Sequence, residues 1–243
     1  MRIALFSDIH GNLPALDAVL ADIDASDITD RYCLGDLVGY GPDPAGVIDR
    51  VRAVGVPTVL GNYDDGIGNR RGDCGCYYAT EQARSDGAAS YAFTEPLLDD
   101  GRAAWLAALP HDIRLEAGGL RVLLTHGSPR KVNEYLLPDR SDAQLARLAD
   151  EAGADLVCVG HVHLPYHRVL TATDCRALHY VSDGSVGKPK DGDPRACWTE
   201  LMIDDAGEVA TVFHRVDYDI ASVQAAMRAA GLPETLVAAL AAA

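Results

Sequence analysis

The chain has 243 residues, 48% of them hydrophobic and 23% charged, enough for one sizeable core and with nothing that demands a second domain. Its formal charge of −15 excludes non-specific nucleic-acid binding, which rests on Lys and Arg neutralising phosphates. No apolar run approaches the ~20 residues of a membrane helix, and residues 3–6 run into Asp8 too soon for a signal peptide, so a cytoplasmic protein is expected.

From the N-terminus, residues 3–6 read as a buried strand and residues 12–23 as a helix. Leu13, Leu16, Val19, Leu20 and Ile23 share one face of that helix, Asn12 is its N-cap and Pro14 sits in the first turn. Further strands are expected at 32–34, 56–60, 122–125 and 156–159, each a short apolar run that stops at Gly or a polar turn. Helices are expected over 43–54 and 141–152. This order is α/β, in which ligands sit at the carboxyl ends of strands. Residues 66–110, Gly- and charge-rich at first and helical from about Thr80, read as a lid-like insertion. Short strands at 168–170, 177–181, 196–203 and 209–216 follow, joined by turns such as Asp204-Asp205-Ala206-Gly207. The tail 219–243, divided by Gly231 and Pro233, reads as two surface helices. No internal repeat or linker interrupts residues 1–243, which read as one domain.

The six cysteines, at 33, 74, 76, 158, 175 and 197, include no CxxC pair, and disulfides are not expected in a cytosolic setting. Cys33, Cys158 and Cys197 fall in strand-like runs as small buried hydrophobes. Cys74-Gly75-Cys76 leaves a redox or metal role open beside a structural one. The three lysines, Lys131, Lys188 and Lys190, lie just beyond motif loops with Arg130 and Arg195 close by. A positive patch for a small anion and plain loop solubility both fit them.

Five islands of donor residues punctuate the strand ends: Asp8 and His10 in SDIH, Asp36 in GDLVGYGP, Asn62 in GNYD, His126 in THGSP, and His161 and His163 in GHVH. Asp and Asn are common turn formers, so one island alone means little. Five in order supply two carboxylates, one amide and four imidazoles, a set that suits two divalent metals with room for water and phosphate. Mixed imidazole and carboxylate shells favour Mn, Fe, Ni or Zn, whereas Ca and Mg prefer oxygen alone.

These islands resemble the pattern of the calcineurin-like metallophosphoesterases: D-x-H, G-D-x-x-x-x-G, G-N-H-[DE], a lone H and G-H-x-H, over residues 2–216. The sequence looks closest to small prokaryotic members that also carry a GSVG loop, here Gly184-Ser185-Val186-Gly187. The resemblance implies a four-layer α/β/β/α sandwich of two mixed sheets with outer helices. It implies Asp8, His10 and His163 on one metal, Asn62, His126 and His161 on the other, and Asp36 bridging both. Two divalent transition metals are expected, Mn first, with Fe, Ni or Zn as alternatives.

The activity implied is a dinuclear metal-dependent phosphoesterase, acting on small phosphodiester or nucleotide-like substrates by metal-hydroxide attack. A phosphomonoesterase or dinucleoside polyphosphate hydrolase, and a metal-bound non-catalytic scaffold, stand as alternatives, and the oligomeric state is open. Substrate contacts are expected from Asn62, Gly184, Ser185 and Lys188, the GSVG loop acting through its N–H groups. Ser182-Asp183 departs from the Asn-Pro or Asn-Ala that commonly precedes that loop. Tyr63 departs more consequentially, because the family has His there, and a phenol (pKa ~10) is a weaker acid than an imidazole (~6.5). Asp36, Tyr63 and Asp64 are the catalytic candidates, Asp64 orienting the Tyr63 hydroxyl or a nearby imidazole. His111, His167, His179 and His214 lie outside the islands; His167 is near enough to GHVH to line the pocket or to be a plain strand residue.

Overall fold

A computed structural model describes residues 1–172 and 176–242; Cys175 and Ala243, the end of the expected tail, lie outside the described residues. Alternation along the strands sorts their side chains into layers. In β1 (Arg2–Phe6), Ile3 and Leu5 face one way and Ala4 and Phe6 the other. In β4 (Leu120–Thr125) and β5 (Leu156–Val159), Val122, Leu124, Leu156 and Cys158 join Ile3 and Leu5 in one apolar cluster. Leu123, Val157 and Val159 join a different one. Strands apolar on both faces need cover on both, and the shared cluster is the layer between two sheets.

One sheet has the order β2 (Asp30–Cys33), β1, β8 (Ala196–Ile203), β9 (Val209–Val216). The other runs β3 (Asp112–Ala117), β4, β5, β7 (Ala177–Asp183), β6 (Pro165–Thr171). Both are mixed: β1 pairs β2 in parallel, as β5 does β4 and β7, and the remaining pairs are antiparallel. Helices α1 (Leu13–Ala25) and α2 (Pro44–Val54) cover the outer face of the first sheet, and α6 (Asp142–Ala152) covers that of the second. This is the expected α/β/β/α sandwich. Asn12 caps α1, its Oδ1 accepting from Ala15 N at 3.2 Å, and Asp43 caps α2 through Gly46 N at 2.8 Å.

Three elements differ from expectation. Residues 56–60 are not a full strand: Thr58 forms a single bridge to Cys33. Pro57 has no N–H to give a ladder, and Leu60 N turns away to Pro110 O at 2.7 Å. β3 is an edge strand not anticipated, joined to β4 by Gly118-Gly119, both at positive φ. Helix α3 (Asn62–Gly68) starts on a motif residue.

Helix α4 (Glu81–Thr94) begins where expected, with Thr80 Oγ1 accepting from Ala83 N at 3.1 Å. A 3-10 turn (Glu95–Leu97) and α5 (Asp100–Ala107) follow. The tail forms α7 (Ile220–Ala229) and α8 (Glu234–Ala242), which bury Val223, Met227, Leu232, Leu236, Val237 and Leu240 together and pack on Tyr40 and Phe93. Among the described residues, no helix is long and apolar enough to cross a membrane.

Candidate metal centre

Parallel strands align their carboxyl ends, and the two sheets bring five such ends together. Asp8 and His10 follow β1, Asp36 follows β2, Asn62 follows the bridge at Thr58, His126 follows β4, and His161 and His163 follow β5. The loops are stitched across the sheets by backbone bonds: His10 N to Asp36 O (3.1 Å), Gly160 N to His126 O (2.9 Å) and Gly187 N to Asp8 O (2.9 Å). Of the seven non-glycine residues with positive φ among the described residues, five are the candidate ligands Asp8, His10, Asp36, His161 and His163. Such backbone is costly for residues with a Cβ and persists where surrounding contacts force it.

The seven expected donors are all brought together, none more than 3% exposed. Asp8, His10 and His163 form one group of convergent donor atoms and Asp36, His126 and His161 a second. His163 Nε2 lies 3.2 Å from both Asp8 Oδ1 and His10 Nε2. Asn62 Oδ1 lies 3.2 Å from His126 Nε2. Asp36 stands between the groups, with Oδ2 3.7 Å from His10 Nε2 and 3.4 Å from His126 Nε2. Its other oxygen accepts from Tyr63 N at 2.8 Å.

Whether this donor set fits metals is read from its hydrogen bonds. His10, His126 and His163 each place Nδ1 against a backbone carbonyl, of Val38 (3.0 Å), Leu34 (2.7 Å) and Lys188 (2.5 Å). That contact fixes the proton on Nδ1 and turns the Nε2 lone pair inward. Asp8 Oδ1, in the first group, and His161 Nε2, in the second, are buried with no hydrogen-bond partner among the described residues. Buried polar atoms are rarely left unpaired, so one orphan in each group fits one cation in each.

Electrostatics agree with imidazole ligands. Burial lowers His10 and His161 to about 3 and His163 to about 4, keeping them neutral. His126 differs: burial acts downward, but the Asp36 and Asp8 carboxylates raise it to about 10.

Other expected site residues fall differently. Asp64 does not reach the Tyr63 hydroxyl or an imidazole. Its Oδ2 accepts from Asp36 N (2.8 Å) and Gly61 N (3.1 Å), and its Oδ1 from Leu37 N (2.9 Å), because three N–H groups left open by the tight motif turns converge on it. Tyr63 is buried, its ring centroid 5.5 Å from that of His10 and 5.0 Å from that of Tyr40, and its hydroxyl has no hydrogen-bond partner of good geometry among the described residues. Burial pushes its phenol well above the ordinary value.

The GSVG loop is also engaged elsewhere. Val186 N and Gly187 N donate to Ser7 O and Asp8 O, both at 2.9 Å, and Ser185 Oγ donates to Asp8 O at 2.9 Å. Gly184 packs on Cys197, and the loop clamps the end of β1 instead of presenting these groups to a phosphate. Lys188 caps the Tyr40 ring at 4.7 Å, and burial, then Lys190, lowers it to about 8. Arg130 and Arg195 join no shared patch; they pair with Glu134 and Asp193. His167 bonds to His179 at 3.0 Å, outside the donor groups.

Sequence reasoning missed Ser7, Asp183, Tyr40 and Tyr135. Ser7 Oγ contacts Asp8 Oδ2 (2.5 Å) and Asp183 Oδ1 (2.8 Å), and burial, then Asp8, pushes Asp183 well above the usual carboxylate range. Tyr40 meets His10 edge-on at 4.9 Å, and its place between two motif glycines was the available signal. Tyr135 lies 4.0 Å from His161, 26 residues away in sequence, with no local sign of the contact.

Comparison with known proteins adds context to this geometry. A profile of the calcineurin-like phosphoesterase superfamily domain matches residues 1–205. An uncharacterized protein of Methanocaldococcus jannaschii, MJ0912, is 31% identical over 246 residues, spanning 96% of this chain and 95% of that protein. A metallophosphoesterase from Sphaerobacter thermophilus is 35% identical, with a TM-score of 0.75 over 100% of this chain and 99% of that one. The hypothetical protein PH1004 from Pyrococcus horikoshii shares the fold at 23% identity, with a TM-score of 0.80 over 98% and 97% of the two chains.

Proposed function

The chain belongs to the calcineurin-like phosphoesterase superfamily, and from that premise we propose that it is a dinuclear metal-dependent phosphoesterase acting on small phosphodiester or nucleotide-like substrates. The observation that carries this is the pair of buried donor groups with Asp36 between them and one orphaned donor in each. Two divalent transition ions, manganese the first to test, would supply Lewis acidity toward the phosphate oxygens and a lowered pKa for an attacking water. The protein's part is placement. Asp8, His10 and His163 would hold one ion and Asn62, His126 and His161 the other, with the Asp36 carboxylate serving both. The Nδ1–H bonds to the carbonyls of Val38, Leu34 and Lys188 hold three imidazole rings in register. Lys188, whose ammonium lies 4.7 Å from the Tyr40 ring, would be the cation offered to the charge of a phosphate. On the same reading residues 1–243 are one domain, with 66–110 as a lid, 219–243 as a helical tail and the cytoplasm as its compartment.

Elemental analysis of the purified chain is expected to find about two transition ions per molecule. Chelation should abolish hydrolysis of an aryl phosphodiester, and manganese should restore it. Asp36→Asn should lower activity more than any other single ligand change, since it alone faces both groups. A panel of diesters, monoesters and dinucleoside polyphosphates then ranks the substrates. No tightly bound metal, with no gain from added manganese or nickel, overturns the proposal.

A further inference from the structure

Cys74 and Cys76 lie outside the seven donors, in the stretch between α3 and α4 that forms no helix or strand. Their sulfurs are already 2.9 Å apart. Gly75 between them has a φ of 64°, a reversal that glycine tolerates and that lets both side chains meet. Asn133 Nδ2 braces the turn by donating to Gly75 O at 2.8 Å. A cleft of about 220 Å³, bordered by Gly72, Cys74, Cys76, Tyr78 and Tyr91, opens beside the pair and gives a small oxidant access. Cys33, Cys158 and Cys197 are buried, whereas Cys76 is half-buried.

The pair also grips a candidate ligand. Asn62 Nδ2 donates to Cys74 O at 3.0 Å and to Cys76 Sγ at 3.1 Å, which leaves Oδ1 facing His126. Partners that orient a ligand tune metal affinity.

We infer that Cys74 and Cys76 form a peroxide-sensitive dithiol whose closure to a disulfide weakens metal binding at Asn62; the second half rests on the metal-centre reading above. Cys76, the more exposed, attacks hydrogen peroxide. An S–O bond forms, the O–O bond breaks, and one water leaves. The Cys74 sulfur then attacks the Cys76 sulfenic acid. An S–S bond forms, the S–O bond breaks, and hydroxide departs with the Cys74 proton as a second water. The two thiols lose two electrons and the peroxide gains them. Closure to ~2.05 Å draws Cys76 Sγ toward Cys74 and loosens its hold on the Asn62 amide.

The test treats the full chain with stoichiometric hydrogen peroxide, maps its cysteines by mass spectrometry, and titrates manganese calorimetrically in reduced and oxidised protein. The expected result is a 74–76 disulfide, reversed by dithiothreitol, with manganese affinity lower by about 10-fold or more in the oxidised form. Cys74→Ser and Cys76→Ser, each checked for folding by circular dichroism, should both bind manganese insensitively to peroxide. Normal manganese binding with no disulfide, or a disulfide with unchanged affinity, overturns the inference alone. No binding of manganese in either form, with none of nickel in a parallel titration, overturns the proposed function together with the coupling, whatever the cysteines do.

Discussion

The Tyr63 ring fills space that Gly39 leaves open: a Cβ on Gly39 would lie 2.4 Å from a ring carbon. Its backbone N–H serves Asp36 while its hydroxyl goes unpaired among the described residues. A phenol pushed well above its ordinary pKa by burial is a poor proton donor near neutral pH. Tyr63→Phe is therefore expected to keep aryl-diester turnover within about threefold of the parent, whereas true general-acid help is worth ~10²–10⁴. The melting temperature should hold or rise, because an unsatisfied buried hydroxyl costs about 1–3 kcal/mol. Calorimetry, with turnover on matched aryl and alkyl esters, checks both. A loss of ~10² or more confined to alkyl esters would restore Tyr63 to the acid's role.

At the scale of elements, the loop after β7 and the turn after β1 are built against each other. Asn12 caps α1 and also donates to Gly187 O at 3.2 Å and the Tyr218 hydroxyl at 3.3 Å. A Cβ on Gly187 would lie 1.8 Å from Ile9 O, a backbone atom between two candidate ligands. Gly187→Ala must displace that turn, at a cost of about 1–3 kcal/mol typical of overpacking. The expected outcome is a lower denaturant midpoint together with weaker manganese binding. Unchanged metal binding in a destabilised but folded variant would show that the clamp supports the fold and not the ligands.

For the whole molecule, partly exposed ion pairs contribute to the response to acid. Glu134 is held at about 2 by Arg130, with Ser128 and Arg140 adding to it against burial. Asp155 lies below the usual carboxylate range because Arg121, and then Arg176, bond it. Depressed carboxylates contribute stability that is fully present above their unfolded pKa values, ~3.9 for Asp and ~4.3 for Glu, and is lost as pH falls through the folded values. Urea unfolding should therefore show stability falling from about pH 5 toward pH 2. Glu134→Gln should flatten that slope while leaving the curve near neutral pH parallel to the parent's. An equally steep acid limb in the variant would mean that Glu134 is not depressed by its arginines.

Local pattern carried much of this protein. The continuous apolar runs of β1, β4 and β5, the capped stripe of α1 and the five donor islands each depend on residues close together in sequence, so those elements and the seven candidate donors could be read directly. The Gly118-Gly119 turn between β3 and β4 was equally local and went unread, although Asp112-Ile113-Arg114-Leu115-Glu116-Ala117 alternates polar and apolar residues along the edge strand. Tertiary structure decided what distance in sequence conceals. His163 meets Asp8 across 155 positions, and Asp64 is spent on the N–H groups of Asp36, Leu37 and Gly61. The GSVG loop seals β1, and Cys76 comes to rest on Asn62. A side chain's type sets which bonds it can make; which bonds it makes depends on the neighbours that folding brings within reach.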